Sequence, residues 1–293
     1  MTRFFAFGCS FTRGLYPTWA DIVAREYDHY QNWAQPGAGN SFIFYSLMEC
    51  HKRQQITADD VVMIMWSSIG REDRYVGREW ITPGSIYNQT DYDETFVKKF
   101  ADPLGYLIRD AAHIAGAKAL LDAIGCKYKF FSIVPFDVPD DNIFKIFSAD
   151  KKVFNLYRDE FDVIKPSVYE TVFGCDWYSR PGPKRNQRLE EEYEIKRGDD
   201  WPTWQQFTEQ DFAGVDNNII EEINEKNNFK NRLLIRYDTH PTPLEYLEYL
   251  QQVAPDISVA DSTKNWISSV TMNMYAEQSV AHLWQPPAKP ARF

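Results

Sequence analysis

Val61-Val62-Met63-Ile64-Met65-Trp66 is the stretch on which the fold turns. It is a continuous apolar run of the kind expected when both faces of a strand are covered, as in a parallel sheet. Moving toward the N-terminus, Phe42 to Lys52 reads as a helix with Phe44, Leu47 and Met48 apolar, and Tyr30 to Ala34 as a weaker strand. Thr18 to Tyr27 places Trp19, Ile22 and Val23 on one helical face, opened by Pro17-Thr18 as a cap signal. Arg3 to Phe7 reads as a first strand. Toward the C-terminus, Ala101 to Ile124 forms a long helix. Its stripe is Leu104, Leu107, Ile108, Ala111, Ile114, Ala115, Leu121 and Ile124, with Gly125 as C-cap. Tyr128 to Pro135 and Leu233 to Tyr237 follow as strands, and Leu244 to Val253 as a helix.

Strands alternating with helices predict an α/β, three-layer sandwich with a mainly parallel, flavodoxin-like sheet. Between Pro135 and Asn231 the alternation lapses into a Pro/Gly-punctuated piece (Ser179 to Pro183) and a charged run (Arg188 to Asp200). The expected organisation is one domain over 1–253 with an insertion at about 136–230, and a C-terminal extension over 254–293 carrying Trp266 and Trp284.

Composition narrows the function. The chain has 293 residues, ordinary for a globular protein with a sizeable core. Lys plus Arg is 32 and Asp plus Glu 42, a net charge of −10, which argues against nucleic acid or an anionic membrane as main partner. No apolar run approaches the ~18 residues of a bilayer span. The N-terminus is too short and too soon interrupted for a signal peptide, so a cytoplasmic location is expected. Cys9, Cys50, Cys126 and Cys175 make no CxxC pair, and with the dispersed His29, His51, His113, His240 and His282 they make no cluster of zinc spacing. They are expected as reduced thiols, with no metal and no cofactor. Aromatics at 16% fit either a ring-rich core or a sugar-stacking surface.

Three loops would each follow the carboxyl end of a strand, where open α/β sheets place their sites. In Gly8-Cys9-Ser10-Phe11-Thr12-Arg13-Gly14 a serine follows a strand directly. It is not the G-x-S-x-G elbow, because Thr12 stands at the second glycine, and by itself such a serine also suits a cap or turn. In Asn32-Trp33-Ala34-Gln35-Pro36-Gly37-Ala38-Gly39-Asn40 the glycines offer unobstructed backbone N–H donors, and Asn40 also suits a helix cap. In Asp238-Thr239-His240-Pro241 the carboxylate could select the imidazole tautomer, although the same residues suit the turn that leads into a helix.

Taken in order, the three loops resemble the blocks of the SGNH (GDSL-like) hydrolase superfamily, over about 1–136 and 231–253. The resemblance makes Ser10 the nucleophile, with Cys9 where that family usually has aspartate. It makes Gly37 an oxyanion-hole donor beside the Ser10 amide, and Asp238 and His240 the last block. Two blocks depart from the pattern. The family's third block reads Gly-x-Asn-Asp, whereas Trp66-Ser67-Ser68-Ile69 stands here. Its oxyanion asparagine is missing, leaving Asn40, Ser67 or Ser68 as replacements, with Asn40 favoured. The Asp-to-His spacing is two rather than three. Trp66-Ser67-Ser68-Ile69-Gly70-Arg71-Glu72 resembles a divergent, often phage-encoded branch. Trp66, Ser67, Ser68 and Arg71 are then candidate substrate-binding residues, with a surface Arg71–Glu72 pair as the plainer reading.

The resemblance implies a serine esterase with no cofactor. It would remove small acyl groups such as acetyl from a carbohydrate through a Ser-His-Asp acyl-enzyme. The alternative is a catalytically weak or silent binding module, virion-associated or homo-oligomeric through the insertion or tail. Cys9 is a second candidate nucleophile unless it is buried behind Ser10. A nucleotide site is excluded by the absence of G-x-G-x-x-G or G-x-x-x-x-G-K-[ST] after a strand. Whether Ser10 and His240 come within ~2.6–3.2 Å separates esterase from binding module.

Overall fold

Arg3–Phe7 (β1) is buried on both faces from Phe4 onward and sits inside a parallel sheet. The computed structural model describes residues 2–86, 92–136, 151–174, 240–275 and 283–290. After β1 come Trp19–Ala24 (α1), His29–Asn32 (β2), Asn40–Gln54 (α2) and Val61–Trp66 (β3). A hairpin follows, Arg74–Val76 (β4) and Glu79–Ile81 (β5), then Glu94–Phe100 (α3), Pro103–Ile124 (α4) and Lys127–Ser132 (β6). Lys151–Leu156 (α5), Arg158–Val163 (α6) and a π-helical turn, Tyr169–Phe173, precede Pro243–Val253 (α7) and Asp261–Tyr275 (α8).

The main sheet runs β2-β1-β3-β6, all parallel, with Phe4 opposite Val61 and Val61 opposite Lys127. The chain leaves β1 for β2 on one side and then crosses to β3 on the other. That reversal makes the carboxyl ends of β1 and β3 the topological switch point, where such sheets place their sites. The α/β class and the flavodoxin-like order are as the sequence predicts. Trp19 of α1 meets Phe131 edge-on, and Phe131 meets Tyr249 of α7, so α1 and α7 share one face of the sheet. On the other, Phe44 of α2 stacks on His113 of α4.

Local chemistry explains the boundaries. Asp102 caps α4 by accepting from Leu104 and Gly105 amides, Pro103 suits its first turn, and Gly125 ends it at φ +77°. Thr242 and Glu245 form a buried capping box at α7, with Pro243 at its first position. Helix α1 is shorter than the predicted Thr18–Tyr27: Thr18 caps it and the chain turns after Ala24. Ile108, placed on the α4 stripe by spacing, is instead exposed. The predicted strand Leu233–Tyr237 lies outside the described residues, as does most of the insertion.

The described part of that insertion packs against the β6 edge. Ser132 Oγ donates to Ile164 O at 2.9 Å, Tyr169 N to Ile133 O at 3.0 Å, and Tyr249 OH to Pro166 O at 3.1 Å. Beyond residue 254 the chain packs back on the body. Glu26 accepts from Ala260 N and Thr263 Oγ1, the Arg25 guanidinium lies 4.4 Å above the Trp266 ring, and the Trp266 indole donates to Leu283 O.

Candidate active site

One turn of helix-like backbone follows β1 at once: Thr12 N and Arg13 N both donate to Cys9 O at 3.0 Å. Within that turn Cys9, Phe11 and Thr12 are buried, and Ser10 between them is half-buried. The turn closes because Gly8 has no side chain. A Cβ there would stand 2.0 Å from Thr12 Oγ1. Thr12, at the position of the elbow's second glycine, is thus the plug under the turn. Its carbonyl accepts from Thr18 Oγ1 and Asn32 Nδ2, both at 2.8 Å, which ties the turn to the second loop.

His240 reaches this turn from the far end of the sequence. Its Nε2 lies 2.7 Å from Ser10 Oγ. The ring sits 4.5 Å from that of Phe11, the buried residue after Ser10. The α7 capping box begins two residues later, so the buried helix terminus sets where His240 can stand. Asp238, the predicted orienting carboxylate, lies outside the described residues. A serine hydroxyl in hydrogen-bond reach of an imidazole is the pair needed to generate an alkoxide-like nucleophile.

The second loop runs beside the first: Trp33 N donates to Ala6 O and Gln35 N to Gly8 O. Gly37 adopts φ +77°, and a Cβ on it would stand 2.0 Å from Thr82 O, so only glycine fits. Thr82 follows the β4–β5 hairpin and fastens it to this loop. Its Oγ1 donates to Pro36 O at 2.9 Å and accepts from Gln35 Nε2 at 3.0 Å. Among the described residues, the amides of Ser10 and Gly37 donate to no acceptor.

Asn40, expected as an oxyanion donor, is fully buried and already engaged. Its Nδ2 donates to Ser67 O at 3.0 Å and to Asp110 Oδ2 at 2.8 Å, and its Oδ1 accepts from Ser67 N at 2.8 Å. Both amide hydrogens are in use, so Asn40 fastens the third loop to the second. Asp110 in turn accepts from Arg109 Nε at 2.7 Å, and Arg109 also donates to Arg71 O and reaches Glu72 at 3.5 Å. Burial pushes the Asp110 carboxyl up to about 6, against the pull of Arg109 and Asn40.

The four candidates for substrate contact, Trp66, Ser67, Ser68 and Arg71, are also buried. Trp66 is a core residue, edge-on to Phe130. Ser68 accepts from Arg71 Nε at 3.2 Å, and Arg71 donates to Ala38 O at 3.0 Å, bracing two loops rather than lying on the surface. Ser67 lies in the same layer. Cys9 is buried beside Ser10.

Sequence reasoning missed Asp73, Asp110 and Arg109. Asp110 had a visible signal: a carboxylate spaced between Leu107 and Ile114 on the buried face of α4. Asp73 had none, since it caps α2 from another loop by accepting from Gly39 N and Phe42 N.

No protein-family profile matches the chain, and no curated protein matches it. Among solved structures, a member of the lipolytic protein G-D-S-L family from Veillonella parvula DSM 2008 is similar at 13% identity. The similarity spans 60% of this chain and 82% of that one, with a TM-score of 0.33.

Proposed function

We propose that the chain is a serine ester hydrolase of the SGNH type, and the observation that carries this is the 2.7 Å contact between Ser10 Oγ and His240 Nε2 at the switch point of the sheet. In this reading His240 takes the Ser10 proton as Ser10 attacks the ester carbonyl. The amides of Ser10 and Gly37 receive the negative charge that develops on the carbonyl oxygen. His240 then returns its proton to the leaving alkoxide, and water activated by the same ring releases the acid. Asp238 would hold the other ring nitrogen.

A small acyl group on a carbohydrate is the substrate class we favour. Tyr45 and Tyr75 are each about half exposed and meet Trp80 at ring-centroid distances of 5.6 Å. These rings cluster on and beside the hairpin whose following residue, Thr82, presses on Gly37. Aromatic faces of this kind suit the C–H faces of a sugar.

The test is covalent labelling with a fluorophosphonate, mapped by mass spectrometry. An adduct on Ser10, absent in His240→Ala, is expected. An adduct on Cys9 would identify another nucleophile. No adduct would replace the esterase with a silent binding module.

A further inference from the structure

We propose that the insertion is a positioning element for the chemistry: Tyr169, acting through Phe11, holds the plane of the His240 ring against Ser10. The inference rests on the reading of Ser10 as nucleophile and His240 as its base.

Rings from three parts of the chain line up behind the Ser10–His240 contact. The His240 ring lies 4.5 Å from that of Phe11, tilted by 38°. Phe11 lies 6.3 Å from Tyr169 at 39°, and Tyr169 lies 4.9 Å from Phe173, edge-on at 66°. Each spacing falls in the range of about 4.5–7 Å over which aromatic pairs attract. Phe11, Tyr169 and Phe173 are all buried. Rings in a close-packed interior cannot shift without displacing their neighbours, so this column transmits position from the insertion to the imidazole.

The far end of the column is anchored. Tyr169 N donates to Ile133 O, one residue past β6. Ser167 and Glu170 cap the turn reciprocally: Ser167 N donates to Glu170 Oε2 at 2.7 Å, and Glu170 N to Ser167 Oγ at 3.2 Å. Three residues before Tyr169, Pro166 O accepts from Tyr249 OH of α7, the helix into which His240 leads. One short segment of the insertion thus grips α7 directly and the imidazole through Phe11. The grip has a chemical use. The hydrogen bond to Ser10 Oγ fixes one atom of the His240 ring but not the ring's plane. Proton transfer needs the Nε2 lone pair aimed at the hydroxyl, and a misplacement of about 1 Å can cost about 100-fold in rate. A ring face packed on Phe11 removes that rotation.

Tyr169→Leu, Tyr169→Phe and Phe161→Leu separate positioning from packing. Phe161 is another buried ring of the insertion, set among Phe136, Phe154 and Tyr157, and controls for a weakened insertion. The readouts are kcat and KM for p-nitrophenyl acetate, the rate of fluorophosphonate labelling at Ser10, the melting temperature, and the NMR shifts of the His240 ring protons, assigned with His240→Ala. Tyr169→Leu is expected to lower kcat and labelling about tenfold with KM unchanged, and Tyr169→Phe to stay within about twofold of wild type. Phe161→Leu should lower the melting temperature comparably and leave kcat near wild type. The His240 ring protons, shielded by the Phe11 ring in wild type, should move downfield in Tyr169→Leu. Equal losses of kcat in Tyr169→Leu and Phe161→Leu, or His240 shifts that do not move, overturn the assignment. Wild-type protein that does not label at Ser10 overturns the nucleophile and the catalytic role of Tyr169 together, and the His240 shifts then tell whether Tyr169 holds the ring at all.

Discussion

Gly39 and Asp73 meet at backbone distance: the Gly39 amide donates to Asp73 Oδ1 at 2.8 Å, and a Cβ on Gly39 would stand only 2.8 Å from Asp73 Oδ2. The Phe42 amide donates to the other oxygen at 2.9 Å. The first amides of α2 are thus capped by a carboxylate from the third loop. Asp73→Ala is expected to destabilise the fold by about 2 kcal/mol, the upper end for a lost cap. Urea unfolding would show a lower midpoint at constant slope. A shift below about 0.5 kcal/mol would mean water replaces the carboxylate at no cost.

Gly37 presents a sharper case. Its left-handed backbone and its contact with Thr82 O leave no room for a methyl group. Gly37→Ala must displace the loop carrying the proposed amide donor. Activity toward p-nitrophenyl acetate should fall about 100-fold or more while far-UV dichroism stays native. An active Gly37→Ala would remove Gly37 from the oxyanion hole.

Asp110 predicts a pH effect with a definite sign. Burial holds its carboxyl near 6 in the fold, above the ordinary aspartate value. The folded state therefore binds this proton more tightly than the unfolded chain. The associated stability is fully present below about pH 4 and lost as pH rises through about 6. Wild type should lose on the order of 1–3 kcal/mol relative to Asp110→Asn between pH 4 and 7. Denaturation midpoints of both proteins across that range decide it, and a constant difference would show that Asp110 stays charged throughout.

The cap of α7 should matter to chemistry as well as to stability. Thr242→Ala removes the capping box two residues after His240, at a cost of about 1 kcal/mol. If the cap positions the ring, labelling of Ser10 slows well beyond what the small unfolded fraction explains. Unchanged labelling would show that the Phe11 contact alone places His240.

Tyr75 tests the substrate class. Tyr75→Ala removes an exposed ring of the hairpin cluster, and the ratio of acetylated-oligosaccharide to p-nitrophenyl acetate hydrolysis should drop about tenfold. An unchanged ratio would leave the rings without a role in sugar binding.

The sheet was legible because its strands announce themselves. Val61–Trp66 is predicted to the residue, since a run buried on both faces has no polar alternate to blur its ends. Ser10 and His240 were legible because each lies beside punctuation that fixes a turn, Gly8 before one and Pro241 after the other. The hairpin was not. Its turn places both Gly77 and Arg78 at positive φ, and an arginine there gives no turn signal. The polar layer of Asn40, Asp73, Arg109 and Asp110 was hidden for a different reason. Its members lie in three separate elements, α2, the loop after β3 and α4, and only tertiary packing shows that Asn40 faces Asp110 rather than a cleft.

Ser10 and His240 are separated by 230 positions in the chain, yet touch in the fold. Synthesis runs from the N-terminus, so β1, β3 and β6 are all made before His240 is. Until α7 docks, Ser10 lacks the imidazole partner that the proposed mechanism requires.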